Sequence, residues 1–416
     1  MLGWTVSAIG LWACATGAAL APAQAAPLGP AHRPVPIVLW HGLGDRFDGQ
    51  GLQLLKHDLE SRPALHGVFV HVVQLGRDGP ADQRATFFGL VDDQVTAACA
   101  QLAALPDLTD RDRNPSRQFD AVGFSQGGQF LRAVVERCTG VALGGVTVRN
   151  LITLGSQHMG ISALPPCPPG SSPFSFCKLM HLSLVREGVY STWAQRNIVP
   201  AQYFRDPDRI DEYLDRNAFL RDINNERIGD VQPDHLDDNN GGGQRSDSSP
   251  PRNATYKDNF SSLNRFVMFR FSNDVTVVPP HSAHFTLPAP PPHNDTTTTT
   301  ISTSSLPCLP PCYAPALAWS SLPLYRDDYI GLKGLNERRN SGGGRRRVVR
   351  DVCKGEHMQI GKECWDAVVS HLGAAGEGGT DIEGIRVGEG EDADGVDWDE
   401  TSSIDGSPQL ILQPAL

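Results

Sequence analysis

The stretch AVGFSQGGQFLRAVVERC, residues Ala121–Cys138, places a serine between glycines, after an apolar run and before a helical pattern. A serine nucleophile needs a strand, a sharp turn and a helix in this order, so that its hydroxyl projects above the sheet. Gly123 and Gly127 leave room where a Cβ would collide with such a turn. The apolar residues after the turn recur at i, i+4, as on one face of a helix. The pattern predicts that Ser125 is a nucleophile rather than a serine in a packing turn.

Such a nucleophile requires an acid and a base, which follow it in the chain order Ser, Asp or Glu, His. Asp274 ends the strand-like run RFVMFRFSND, where a carboxylate can orient an imidazole. His357 lies in KGEHMQ, after a strand and before a helix, as a general base requires. We therefore predict Ser125, Asp274 and His357 as catalytic, with Asp327 or Asp328 as the next acid to test.

The remaining histidines after Asp274 fit the role of the base less well. His281 and His284 are too close to Asp274 in the chain for another strand to intervene. His293 lies in a proline- and threonine-rich insert, and His371 lies at the end of a helix.

An acyl-transfer site also needs two backbone N–H groups that bind the oxyanion. One donor is the residue after the nucleophile, which is Gln126. The other comes from a loop after an early strand, and WHGLGD supplies a tight turn with Leu43 as the donor. His41 precedes Ser125 in the chain, so we predict that it positions this turn and takes no part in the chemistry.

The elements that must position these residues form an α/β pattern. In the first 160 residues, short continuous apolar runs alternate with segments of helical period. This alternation is typical of a mostly parallel sheet with helices on both faces. Strand-like runs resume after residue 264, and GKECWDAVVSHL closes the domain with a helix. The sequence predicts an α/β-hydrolase fold with a helical lid inserted at about residues 156–263.

Three low-complexity segments interrupt this pattern, at about residues 237–251, 286–305 and 336–347. Their composition cannot bury a core, so we predict solvated loop insertions. The arginine cluster Arg345–Arg347 is interpreted as part of such a loop rather than as a patch for anionic membranes.

The two ends of the chain differ from the domain between them, residues 26–373. Residues 1–25 are apolar and end in Ala-Gln-Ala, which predicts a signal peptide. A transmembrane anchor is the alternative, although Pro22 and Gln24 interrupt the run. Residues 374–416 carry eleven acidic side chains and one arginine, so most of the net charge of −11 belongs to this tail. We predict that the tail is disordered, and nothing in the charge pattern indicates nucleic-acid binding.

Eight cysteines remain once Cys14 leaves with the signal peptide, an even count that fits up to four disulfides in an exported chain. Pairs close in the chain are Cys167 with Cys177, Cys308 with Cys312, and Cys353 with Cys364. The C-x3-C of the second pair lacks a further ligand pair, so no metal site is predicted. Glycosylation signals agree with secretory passage and lie at Asn253, Asn259 and Asn294.

Several motifs together resemble the lysosomal palmitoyl-protein thioesterases. They are IVLWHGLGD, GFSQGGQFLRAVVERC, NLITLGSQHMG, AQYFRDP, FLRDINNER, FVMFRFSND, IGLKGL and GEHMQ. They occur in the family's order and span roughly residues 35–372, apart from the three insertions. GFSQGGQFLRA and GSQHMG are far more specific than the spacing G-x-S-x-G alone.

The resemblance implies hydrolysis of long-chain fatty acyl thioesters, palmitate above all, on cysteines of proteins or peptides, with no metal or cofactor. It implies the same three catalytic residues and agrees with glycosylation at Asn253. It also implies a place in the secretory pathway, in the lysosome or vacuole or outside the cell. No transmembrane anchor is expected after signal cleavage, and contact with membranes is at most peripheral. The family's cysteine pairs correspond to Cys99 with Cys138 and Cys167 with Cys177.

The chain also departs from the family. Arg46 and Phe47 stand where vertebrate members carry adjacent cysteines, and Asn273 is not followed by a glycosylation signal. The loop insertions leave the lid shape and the acyl-chain preference open. Two other functions remain as alternatives. A secreted general lipase or carboxylesterase shares every catalytic feature, and a silent binding protein would more often have lost a triad member.

Overall fold

The computed structural model describes residues 33–167, 170–227, 251–288, 316–338 and 346–372, together with the strand residues 410 and 411. The predicted signal peptide, the rest of the predicted tail and most of each low-complexity segment lie outside these ranges. So do four residues singled out above: His293, Asn294, Cys308 and Cys312.

Six strands form one parallel sheet in the order β2-β1-β3-β4-β5-β6. Their bounds are β1 Ile37–Trp40, β2 Val70–Val72, β3 Gln118–Phe124, β4 Thr147–Leu154, β5 Arg265–Phe271 and β6 Val348–Cys353. Each overlaps a short apolar run of the sequence, and the predicted α/β-hydrolase architecture is confirmed. Because all six strands are parallel, their carboxyl ends meet at one edge, where such folds place their ligands.

Both faces of the sheet are buried, which explains why the strands are continuously apolar. Along β1, Ile37 and Leu39 pack on one face, while Val38 and Trp40 pack on the other. Successive strand side chains alternate between faces, so one short run contributes to two cores.

Helices cover the two faces. The helices α1 and α13 pack on one face, and α3 and α5 pack on the other. The helices outside the insertion described next are α1 Gln50–Ser61, α2 Gly79–Phe87, α3 Val91–Ala103, α4 Pro106–Thr109, α5 Gln126–Cys138, α11 Pro323–Arg326, α12 Leu332–Glu337 and α13 Lys362–Val369.

The chain between β4 and β5 forms the helical insertion that the sequence places at about residues 156–263. Its helices are α6 Phe176–Glu187, α7 Thr192–Asn197, α8 Ile210–Arg216, α9 Leu220–Ile223 and α10 Ala254–Ser261. Buried residues of the insertion, such as Tyr203 and Phe219, share a core with α5. The insertion therefore packs directly on the helix that follows the predicted nucleophile.

Three disulfides are formed among the described residues. The first joins α3 to the end of α5, the second lies within the insertion, and the third joins β6 to α13. The bridged pairs are Cys99–Cys138, Cys167–Cys177 and Cys353–Cys364.

Two short strands form a separate sheet. The strand β7, Gln359–Ile360, pairs antiparallel with β8, Leu410–Ile411, which lies within the predicted tail. In the described part of the chain, no helix is both long and apolar enough to cross a bilayer.

Candidate active site

Ser125 occupies a strained turn between β3 and α5. Its φ is 52° and its ψ is −126°, a conformation that non-glycine residues rarely adopt. The turn is packed too closely for side chains at its glycines. A Cβ on Gly123 would lie 2.2 Å from the Cα of Gly128, and one on Gly127 would lie 2.2 Å from the carbonyl oxygen of Trp40. The turn is thus held in place on both sides, and the serine is 8% exposed at its tip.

The structure brings the three predicted catalytic residues together. The Nε2 atom of His357 lies 3.0 Å from Oγ of Ser125, and its Nδ1 atom lies 2.7 Å from Oδ2 of Asp274. An ionised carboxylate only accepts hydrogen bonds, so Nδ1 carries the proton and Nε2 is free to accept one from the serine hydroxyl. This arrangement can activate the serine for attack on a carbonyl carbon.

Backbone donors fix the carboxylate of Asp274. The amides of Thr276 and Val277 each donate to its Oδ1 atom at 2.9 Å, which leaves Oδ2 for the imidazole. The side chain is 1% exposed. The carboxylate therefore has a single orientation, and this orientation sets that of His357.

The two predicted oxyanion donors lie beside the serine. Gln126 is the first residue of α5, where backbone N–H groups have no partner within the helix and the helix dipole favours negative charge. Leu43 lines the same pocket as Ser125 and His357. A Cβ on Gly42 would lie 2.9 Å from Cβ of Ser125, so only glycine allows the turn to approach so closely.

His41 is buried beside this turn, and its ring nitrogens face Asp82 and Gly42 rather than the serine. Its Nε2 atom donates to Oδ2 of Asp82 at 2.7 Å, and Nδ1 lies 3.2 Å from the carbonyl oxygen of Gly42. An ionised carboxylate only accepts, so Nε2 carries a proton. Burial alone would lower the pKa of His41, but the hydrogen bond and charge of Asp82 raise it above the usual value. The geometry fits the positioning role that the sequence indicates.

Asp82 is a buried residue that the sequence analysis did not single out. Besides His41, it accepts hydrogen bonds from the amides of Phe47, Leu75 and Gly76. Burial would raise the pKa of its carboxyl, but the bond to His41 and the backbone amides lower it. Asp82 thereby ties the turn after β1 to the loop after β2. An aspartate in the first turn of a helix gives no local signal of this role.

Tyr203 and Thr86 are two further residues that the sequence analysis did not single out, and they contact the segments of the predicted oxyanion donors. The hydroxyl of Tyr203 donates to Oε1 of Gln126 at 3.0 Å, and Nε2 of Gln126 donates to the carbonyl oxygen of Thr86 at 3.3 Å. The hydroxyl oxygen of Thr86 accepts from the amide of Gly44 at 2.8 Å. One threonine therefore contacts both halves of the predicted oxyanion hole, and a tyrosine of the insertion fixes one half.

The pocket above the serine is lined mainly by apolar side chains, three of them from the insertion. Asp45 is an acidic residue in this lining, and burial raises the pKa of its carboxyl, although electrostatic attraction to His41 opposes the rise. Such a lining suits a long hydrocarbon chain that ends at a polar reacting group. Apolar lining residues are Leu43, Phe124, Ile161, Pro165, Pro166, Val277 and Met358.

The residues weighed as alternatives have other contacts. His284 lies 2.9 Å from the carbonyl oxygen of Asp351, and burial lowers its pKa to about 3. His371 lies 3.3 Å from Arg265 at the end of α13. Asp327 pairs with Arg326 at 3.0 Å, and Asp328 pairs with Lys257 at 3.0 Å. None of these contacts involves Ser125, Asp274 or His357.

The two glycosylation signals in the described chain differ in exposure. Asn253 is exposed and caps α10 by accepting a hydrogen bond from the amide of Thr255. Asn259 is half-buried, and its Nδ2 atom, to which a glycan would attach, donates to the carbonyl oxygen of Glu136 at 2.8 Å. The geometry favours Asn253 over Asn259 as the site.

Comparison with known proteins relates this site to one enzyme family. Residues 36–357 match the family described as palmitoyl protein thioesterase. Palmitoyl-protein thioesterase 1 of Caenorhabditis elegans is 32% identical over 331 residues, which cover 79% of this chain and 88% of that protein. The palmitoyl-protein thioesterase-dolichyl pyrophosphate phosphatase fusion 1 of Schizosaccharomyces pombe is 30% identical over 60% of this chain and 34% of its own length. Palmitoyl-protein thioesterase 3 of Dictyostelium discoideum is 25% identical over 73% of this chain and 80% of that protein.

Proposed function

Since the chain belongs to the palmitoyl protein thioesterase family, we propose that Ser125, His357 and Asp274 hydrolyse thioesters between long-chain fatty acids and cysteines of proteins or peptides. The family makes the chain a thioester hydrolase. The observation that carries the assignment of residues is the unbroken set of hydrogen bonds from Ser125 through His357 to Asp274.

In the first step, Nε2 of His357 takes the proton of the Ser125 hydroxyl as Oγ bonds to the thioester carbonyl carbon. The carbonyl oxygen becomes an oxyanion, which the backbone N–H groups of Leu43 and Gln126 bind. The tetrahedral intermediate then collapses as the C–S bond breaks. The cysteine sulfur leaves with the proton from His357, and the acyl group remains on Ser125 as an oxygen ester.

In the second step, water replaces the cysteine. His357 takes a proton from the water, whose oxygen attacks the acyl carbon of the ester on Ser125. The same N–H groups bind the second oxyanion. The C–O bond to Ser125 breaks, His357 returns the proton to the serine, and the free fatty acid departs.

The apolar pocket supports a long acyl chain as the bound group. Each buried CH₂ contributes about 0.8 kcal/mol, so an acyl chain gains affinity with every methylene that the apolar lining covers. Both Ile161 and Tyr203 of the insertion contribute to the lining, so the insertion takes part in selecting the length of the acyl chain.

A secreted lipase or carboxylesterase that acts on oxygen esters is the alternative, because it would use the same residues. The test compares a palmitoyl thioester of a cysteine peptide with the matching oxygen ester of a serine peptide. We expect a higher kcat/KM on the thioester. Equal or faster cleavage of the oxygen ester, or of triglyceride, would favour the alternative.

The proposed location is the secretory pathway, in the lysosome or vacuole or outside the cell. Disulfides persist in oxidising compartments, and three are formed in the described chain. The predicted signal peptide at residues 1–25 and the exposed glycosylation signal at Asn253 support the same proposal.

Tyr203→Phe tests whether Tyr203 positions the oxyanion donor. The variant loses the hydroxyl that fixes Gln126 and keeps the aromatic ring in the core. Since a hydrogen bond contributes about 1 kcal/mol, we expect kcat to fall about fivefold with little change in KM. Steady-state kinetics on a soluble acyl thioester measures both constants.

Tyr190→Phe is the matched control, because the Tyr190 hydroxyl accepts from the amide of Asp206 and donates to the carbonyl oxygen of Phe204 rather than to Gln126. A purely structural role for Tyr203 would lower the melting temperature and leave kcat per folded enzyme unchanged. That result would contradict the positioning role.

A further inference from the structure

The helix α6 of the insertion carries apolar residues on two opposite faces. Its inner face is formed by Cys177, Met180 and Leu184, which are buried. Its outer face carries Leu182, which is 65% exposed, and Val185, which is 85% exposed. Leu179 lies at the edge of this outer face. At 3.6 residues per turn, Leu182 points almost directly away from the buried face.

Exposed apolar residues continue beyond this helix. Phe174, two residues before α6, is 83% exposed, and Trp193 on the neighbouring α7 is 44% exposed. We call Phe174, Leu179, Leu182 and Val185 the α6 patch. An apolar cluster of this kind on a protein surface marks an interaction site more often than single exposed residues do.

The α6 patch is connected to the wall of the active-site pocket. Pro165 and Pro166 line the pocket, and the next residue, Cys167, is bridged to Cys177 in the first turn of α6. In addition, Nε2 of His181 donates to the carbonyl oxygen of Pro165 at 3.0 Å. A covalent bond and a hydrogen bond therefore hold this helix to the mouth of the pocket.

The inner face of α6 contacts the other side of the same site. Met180 and Leu184 belong to the apolar cluster against which Leu43 packs. Leu43 is the residue proposed to donate a backbone N–H to the oxyanion. The helix thus lies between the α6 patch on its outer face and the catalytic loop on its inner face.

The charge around the α6 patch is positive. Lys178 and Arg186 are exposed on the helix beside Leu182. Arg196 adds a third exposed basic side chain between residues 160 and 205, and the one acidic residue there, Glu187, pairs with Arg186 at 3.2 Å. Apolar side chains flanked by basic ones, on one exposed helix face, are the combination that binds the surface of anionic membranes.

We propose that the α6 patch docks on an anionic lipid bilayer and presents the pocket mouth to the membrane surface. The proposal rests on the proposed function, because a long acyl chain on a substrate protein resides in the hydrocarbon of a membrane. The acyl chain has to pass from the bilayer into the pocket beside Pro165 and Pro166. Docking through α6 shortens the distance that the acyl chain has to cross in water.

The test uses the double substitution Leu182→Ser/Val185→Ser in the full chain. Both side chains are exposed, so the substitutions leave the inner face of α6 intact. Val141→Ser is the matched control, because Val141 is 96% exposed and follows the far end of α5, about 20 Å along that helix from Ser125. Melting temperatures establish that all three proteins are folded.

Binding is measured by co-sedimentation with vesicles of phosphatidylcholine and phosphatidylserine in equal amounts, and with vesicles of phosphatidylcholine alone. We expect the wild type and the control to bind the anionic vesicles, and the double variant to bind about tenfold more weakly. Lys178→Gln/Arg186→Gln should weaken binding to the anionic vesicles only.

Activity assays on a soluble and a vesicle-bound substrate distinguish a failure of the docking proposal from a failure of the proposed function. The double variant should cleave a water-soluble acyl thioester at the wild-type rate and a palmitoylated peptide in anionic vesicles about tenfold more slowly. Equal vesicle binding by wild type and double variant, or no binding by either, would overturn the docking proposal. Failure of the wild type to cleave the soluble thioester would instead overturn the proposed function.

Discussion

Replacing Ser125 by alanine is expected to lower the kcat for palmitoyl thioesters by about 10⁶-fold and to eliminate the acyl-enzyme. The chemistry passes through a covalent ester on Oγ, and His357 Nε2 lies 3.0 Å from that atom. The residual rate would come from the oxyanion donors and from substrate binding alone. The measurement is single-turnover cleavage of a palmitoyl-cysteine peptide, with mass spectrometry of the intact protein to detect the acyl group.

Ser156→Ala provides a matched control for this substitution. Ser156 is a buried serine close to Gly128 of α5, and its hydroxyl has no hydrogen-bond partner within the described chain. We expect this variant to retain near-wild-type turnover and to form the acyl-enzyme. An acyl group found on the folded Ser125→Ala protein would show that another residue is the nucleophile.

The second large effect is expected at the base and the acid. His357→Gln should lower kcat by nearly as much as Ser125→Ala, because a serine hydroxyl is a weak nucleophile without a base. Asp274→Asn should cost about 10²–10⁴-fold, because an amide donor opposite Nδ1 favours the wrong imidazole tautomer. Steady-state kinetics of the single and double variants gives both the separate and the combined effects.

These losses should not add, since the three residues act as a unit. Combining Asp274→Asn with Ser125→Ala should lower the rate little beyond Ser125→Ala alone. If the folded Asp274→Asn enzyme retained near-normal turnover, the acid would be misassigned. Asp327 and Asp328 would be poor replacements, because they pair with Arg326 and Lys257.

Features that depend on neighbouring residues could be predicted from the sequence. The strand, turn and helix around Ser125 follow one another directly, so the glycine pattern was sufficient to predict the turn. The strands were predictable because a sheet buried on both faces requires short continuous apolar runs. The chain order of this fold led to Asp274 and His357, although 83 residues separate them and two of the three low-complexity segments intervene.

The sequence alone did not indicate Tyr203 and Asp82, which hold Gln126 and His41 from other parts of the chain. Tyr203 and Gln126 are 77 residues apart, and His41 and Asp82 are 41 apart. The neighbouring sequence of a tyrosine or an aspartate looks the same whether its side chain is buried at the site or exposed to water. Only the packing of the insertion on α5 shows that Tyr203 contacts an oxyanion donor.

The sequence by itself thus determined the fold class, the family and the candidate catalytic residues, because local patterns and chain order encode them. The tertiary structure decided which polar groups fix these residues and which face of α6 is exposed. The apolar residues of α6 are similar on both faces in sequence. Burial against the cluster around Leu43 distinguishes the inner face from the outer one, and that burial depends on contacts between segments far apart in the chain.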